Sequence, residues 1–83
     1  MARAIIRYSL DSDASNATGN QIRTDLEAAG FEKIGTASFE AWGIAQGDAL
    51  NALDALFETL KNPPGGGNLD HLWVYFDDPD DSN

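Results

Sequence analysis

Residues 45–62, AQGDALNALDALFETLKN, impose the strongest constraint on what this chain can become. Ala49, Leu50, Leu53, Leu56, Phe57 and Leu60 recur at helical spacing and form a wide apolar stripe. Asp48 suits the positive end of the helix dipole, and Lys61 suits the negative end. NPPGGGN then stops the helix, because proline cannot continue it and glycine allows a flexible turn. Such a helix must lay its stripe on a second layer.

The rest of the chain supplies that layer. RAIIRYSL, residues 3–10, alternates, with Ala4, Ile6, Tyr8 and Leu10 on one face and Arg3, Ile5, Arg7 and Ser9 on the other. That is the pattern of a half-buried strand. DSDASNATGN breaks the pattern as a long loop, and long loops are often functional. A shorter helix is expected over about residues 19–29, with Thr18 or Asn16 as its cap. Ile22, Leu26 and Ala29 share one of its faces, and Gly30 suits a left-handed C-terminal cap.

GFEKIGTASFEAW, residues 30–42, is two-faced. Ile34, Thr36, Ser38, Glu40 and Trp42 share one parity; Gly35, Ala37, Phe39 and Ala41 share the other, and neither is uniformly apolar. The facing is expected to change through a bulge or tight turn near residues 36–38, giving two short strands of a hairpin. LDHLWVYF, residues 69–76, is the last strand, with Leu72, Val74 and Phe76 opposite in face to His71, Trp73 and Tyr75. The order implies an α+β fold: a single ferredoxin-like βαββαβ domain over residues 1–76, its antiparallel sheet covered by two helices on one face. Residues 77–83 read as an acidic disordered tail.

At 83 residues the chain is one small domain. A chain of this size buries only about 60% of its unfolded surface. Its expected stability is roughly 3–5 kcal/mol, so a dimer that covers an exposed surface would help. There is no cysteine and one histidine, which excludes disulfides and thiolate or His-rich metal sites. The apolar part of MARAIIRYSL is too short for a signal peptide, and no run is long enough to span a membrane, so a cytoplasmic location is expected. The formal charge is −9. It fits a solvated acidic surface and tail (Asp77, Asp78, Asp80 and Asp81), adaptation to high salt, or mimicry of DNA. It disfavours nucleic acid as a partner.

By parity, the uncovered sheet face displays Ile5, Arg7, His71, Trp73 and Tyr75. Aromatic and arginine side chains together suit a dimer or protein interface. They also suit base stacking, but the recognition-sheet signature Gly-Phe-Gly-Phe is absent. Asp11 and Asp13, just past the first strand, could hold a divalent metal such as magnesium, with Glu40 joining them if its strand runs beside the first. They also match turn and cap chemistry, the commoner use of aspartates at such positions. Otherwise no cofactor is expected. His71 could shuttle protons or simply lie at an interface. Ser9, Ser12 and Ser38 have no evident His/Asp partners, and NPPGGGN precedes a strand rather than a helix, which disfavours phosphate cradling.

Gly30, Ile34, Ser38, Phe39 and Glu40 in GFEKIGTASFEAW, with Tyr8 and Leu10 in IIRYSL, resemble segments of the Cas-two family (the small CRISPR adaptation subunit) and of the VapD-like nucleases. The resemblance implies a ferredoxin-like homodimer, in which Ser38, Phe39 and Glu40 help build the dimer edge. Some members of that group are metal-dependent nucleases acting through an aspartate at the end of the first strand. Here the matching position is Ser9, which cannot ligate a metal as a carboxylate does, and Asp11 follows two residues later. The expected function is therefore a small acidic homodimeric interaction domain that docks a protein partner and is not catalytic. The alternatives are a nuclease using Asp11 and Asp13, or an acidic DNA mimic.

Overall fold

In the computed structural model, residues 2–13 and 15–78 are described. The elements follow in the order β1 (Arg3–Asp11), α1 (Ala17–Ala28), β2 (Glu32–Gly35), β3 (Ser38–Trp42), α2 (Gln46–Lys61) and β4 (Asn68–Asp77). The strands form one four-stranded sheet in the order β2-β3-β1-β4, every neighbouring pair antiparallel. This is the ferredoxin-like βαββαβ arrangement. Asp77 still belongs to β4, where it pairs with Arg3, and the acidic segment from residue 79 onward lies outside the described residues. No helix is long and apolar enough to cross a membrane among the described residues.

The hairpin anticipated in residues 30–42 turns at Thr36 and Ala37, between the paired Gly35 and Ser38. Ala37 adopts φ 52°, the left-handed region that glycine or asparagine normally fills. The register slips between Lys33 and Gly35, so the facing does change partway along the stretch. β3 is flanked by β2 and β1 and is therefore interior to the sheet, not one of its edges. The edge role expected of Ser38, Phe39 and Glu40 is thus corrected: the sheet's edges are β2 and β4.

Alternation decides what is buried. Ala4 and Ile6 of β1, Phe39 and Ala41 of β3, Ile22 and Leu26 of α1, and Ala49, Ala52 and Leu56 of α2 form one core between sheet and helices. Thr59 Oγ1 donates to Asp25 Oδ2 at 2.6 Å and ties α2 to α1. The end of α1 is closed by a Schellman motif. The Gly30 amide donates to the Glu27 carbonyl, and the Phe31 amide to the Leu26 carbonyl at 2.9 Å. Gly30 takes φ 97° there, and Phe31 and Leu26 are both buried beneath it.

The start of α1 differs from expectation. Asn16 occupies the cap position but makes no side-chain cap bond. Asp13 does that work: its carboxylate accepts from the Thr18 amide at 3.2 Å and the Gly19 amide at 2.9 Å. The Thr18 hydroxyl donates to the Gly66 carbonyl and accepts from the Gly65 amide, each at 2.9 Å. The glycine-rich loop is therefore docked on the first turn of α1 rather than being a loose spacer. At Gly67, φ is 90° and an added Cβ would stand 2.7 Å from the Asp11 carbonyl oxygen. Only glycine fits that approach.

Candidate protein interface on the open sheet face

The register places one set of side chains on the sheet face away from the helices. Arg3 lies between Trp42 and Asp77, Ile5 between Glu40 and Tyr75, and Arg7 between Ser38 and Trp73. Because side chains alternate along a strand, these residues share a face wherever their opposites Ala4, Ile6, Phe39 and Ala41 enter the core.

The face is organised around two arginines. Arg3 Cζ stands 5.1 Å from the Trp42 ring centroid and 5.9 Å from that of Tyr75, and Arg7 Cζ stands 5.7 Å from that of Trp73. Each exposed cation–π contact contributes about 0.5–1 kcal/mol. Trp73 and Tyr75 stack at 6.0 Å with their planes 13° apart. Arg3 Nε also donates to Glu40 Oε2 at 2.9 Å. The rings nevertheless stay open to solvent: Trp42 is 59% exposed, Trp73 51% and Tyr75 38%. Ile5, at the centre, is only 8% exposed although it lies outside the helix-side core. Of the residues anticipated for the interface, Ile5, Arg7, His71, Trp73 and Tyr75 share this face, whereas Phe39 is buried on the opposite side against the helices. Trp42 and Arg3 complete the layer; the first was missed because its facing depended on where the hairpin turned.

At the far end of the face, the β1–β4 register slips so that Ser9 opposes His71 and Leu10 opposes Leu69, leaving Asp70 as the extra residue. Asp70 Oδ2 accepts from Ser9 Oγ at 3.3 Å and meets His71 Nδ1 at 2.8 Å. Serine, aspartate and histidine thus meet, but in the wrong order for nucleophilic catalysis. The hydroxyl is bonded to the carboxylate rather than to the imidazole, so the imidazole is not set to receive its proton. The His71 side chain is 81% exposed.

The aspartates have separate tasks. Asp13 caps α1, while among the described residues Asp11 Oδ1 accepts a single 3.4 Å contact, from Ser12 Oγ. Glu40 does not join them. It lies across from Ile5, roughly 20 Å along the strand from Asp11 at about 3.3 Å per residue. No group of metal-ligating side chains occurs among the described residues. Beside Asp13, an open polar cleft is lined in part by Tyr8, Asn20, Arg23 and Lys33. Burial pushes the Tyr8 phenol pKa up, opposed by Arg23 and reinforced by Asp13.

Fold and surface together define a small α+β domain with one helix-covered sheet face and one open, aromatic face. Comparison with protein-family models, with curated proteins and with solved structures finds no match to the chain.

Proposed function

We propose that the chain is a non-catalytic, homodimeric interaction domain that docks a protein partner through its open sheet face. The observation that carries this reading is the continuous layer Trp42–Arg3–Tyr75–Trp73–Arg7, ordered by cation–π and stacking contacts yet open to water. Single exposed apolar residues are ordinary, but a contiguous patch marks an interaction site. Tryptophan, tyrosine and arginine are the residues that dominate protein interfaces. Around the rings stand Glu40, Asp70 and Asp77, on a chain of charge −9. The complementary partner is a protein surface with an apolar centre and a lysine- and arginine-rich rim. The same carboxylates repel a phosphate backbone. The capping role of Asp13 weighs against its use as a metal ligand in a nuclease.

The test compares the wild-type chain, a Trp42→Ala/Trp73→Ala variant and a Glu58→Gln control on exposed α2, each immobilised and passed through an extract of the native host. A partner should be retained by the wild type and the control, lost from the double variant, and released by salt. Truncating such anchors typically weakens binding by about 2 kcal/mol or more. Equal retention by all three, or recovery of nucleic acid instead of protein, would defeat the reading.

A further inference from the structure

We propose that β4 pairs edge to edge with β4 of a second copy, antiparallel about a twofold axis at Val74. The inference rests on the homodimer reading above and assigns its surface, which is the β4 edge and not the open face.

The two edges of the sheet are built differently. β2 is four residues long, carries Glu32 and Lys33, and contains a register slip. Short length, charge and irregularity are the usual protections of an exposed edge. β4 is ten residues long, and from Leu72 to Phe76 it has no charge, proline or bulge. Among the described residues it pairs with β1 alone, so its outer amides and carbonyls face outward unpaired. Its side chains are exposed on both faces: Trp73 and Tyr75 on the open side, Val74 (41%) and Phe76 (37%) on the helix side. On the helix side a crevice of about 100 Å³ separates β4 from α2, with Leu50, Leu53, Val74 and Phe76 in its wall. An incoming strand would complete the hydrogen bonding of β4 and extend the sheet past this crevice.

The order of residues identifies that strand as another β4. In HLWVYFD, residues 71–77, a twofold at Val74 places His71 opposite Asp77, Leu72 opposite Phe76, Trp73 opposite Tyr75 and Val74 opposite itself. Every cross-strand pair is then matched: imidazole with carboxylate, aliphatic with aromatic, aromatic with aromatic, and β-branched with β-branched. Opposed residues also keep to the same face, as an antiparallel sheet requires. Sliding the register by one pair in either direction sets Asp77 against Leu69 or against Trp73. Such a self-complementary contact closes as a dimer and does not propagate. It joins two four-stranded sheets into one of eight, with both open faces on the same side.

The chain has no cysteine, which makes crosslinking an unambiguous test. Directly opposed Cα atoms lie roughly 4.5–5.5 Å apart, within the roughly 4.4–6.8 Å that a disulfide spans. Under mild oxidation Val74→Cys should become a covalent dimer. Tyr75→Cys, whose counterpart would stand roughly 8 Å away by strand geometry, should crosslink poorly. Val74→Lys opposes two like charges at the axis and should sediment as a monomer with its helical circular dichroism kept. If that variant fails to fold, the cysteine pair still decides. A wild-type monomer at high micromolar concentration, a dimer that persists in Val74→Lys, or crosslinking at Tyr75 rather than Val74 would overturn the proposal. Loss of the dimer in Trp42→Ala/Trp73→Ala together with its persistence in Val74→Lys would move the dimer to the open face. A wild-type monomer that still retains a partner through Trp42 and Trp73 would sink the edge pairing and leave partner docking standing.

Discussion

Asp13 and Thr18 share the work of fixing the start of α1. Asp13 caps two amides of α1, and the Thr18 hydroxyl, in the first turn of the same helix, holds the glycine-rich loop. Asp13→Ala should therefore lower stability by about 1 kcal/mol, the usual cost of a lost cap, in a urea titration. Asp13→Asn, which keeps an acceptor oxygen, should lose less. Gly67→Ala combines a left-handed φ with a backbone collision and should be the more damaging change, read from the same titration. Tyr8 contributes to the loss of stability at alkaline pH. Burial raises its folded pKa above the unfolded value, so folding favours the neutral phenol. Its contribution is complete below about pH 10 and is lost as pH rises through the folded pKa. Thermal melts across that range should show a shallower alkaline decline in Tyr8→Phe than in the wild type.

At the level of elements, what could be read from the chain depended on whether period alone settles the facing. The α2 stripe did so, and β1 and β4 alternate cleanly enough that Ala4 and Ile6 enter the core while Arg7, Trp73 and Tyr75 stay outside. The β2–β3 stretch did not, because a two-residue turn without Asn-Gly and a register slip both fall inside it. Once the turn is fixed at Thr36–Ala37, SFEAW alternates simply, and Trp42 falls on the open face. Cap chemistry was legible for Asp13, but the amides it would cap were not, because the capping carboxylate comes from three residues upstream of Asn16, which holds the cap position without a side-chain bond. The α2 stripe read from the sequence is nevertheless wider than the part of the helix that is buried. Leu50 and Phe57 belong to it yet remain exposed, while Ala49, Ala52 and Leu56 are the α2 residues that enter the core. In the β-hairpin, Ala37→Gly should raise stability by about 1 kcal/mol by removing the left-handed penalty of an L-residue, visible as a higher urea midpoint.

For the whole molecule, charge separates the two surfaces proposed for it. Each copy carries −9, so edge pairing brings like-charged bodies together through a seam whose centre, Leu72 to Phe76, is uncharged. Added salt screens that repulsion, and the dimer should tighten from low to molar sodium chloride. Docking on the open face sets an acidic rim against a basic one, so the same salt should weaken it. Sedimentation of the chain alone and partner retention on the immobilised chain, run over one salt series, should give slopes of opposite sign. A dimer that loosens with salt would mean that charge pairs, and not the apolar run from Leu72 to Phe76, hold it together. The contact would then belong on the arginine- and carboxylate-bearing face, where Arg3 already meets Glu40.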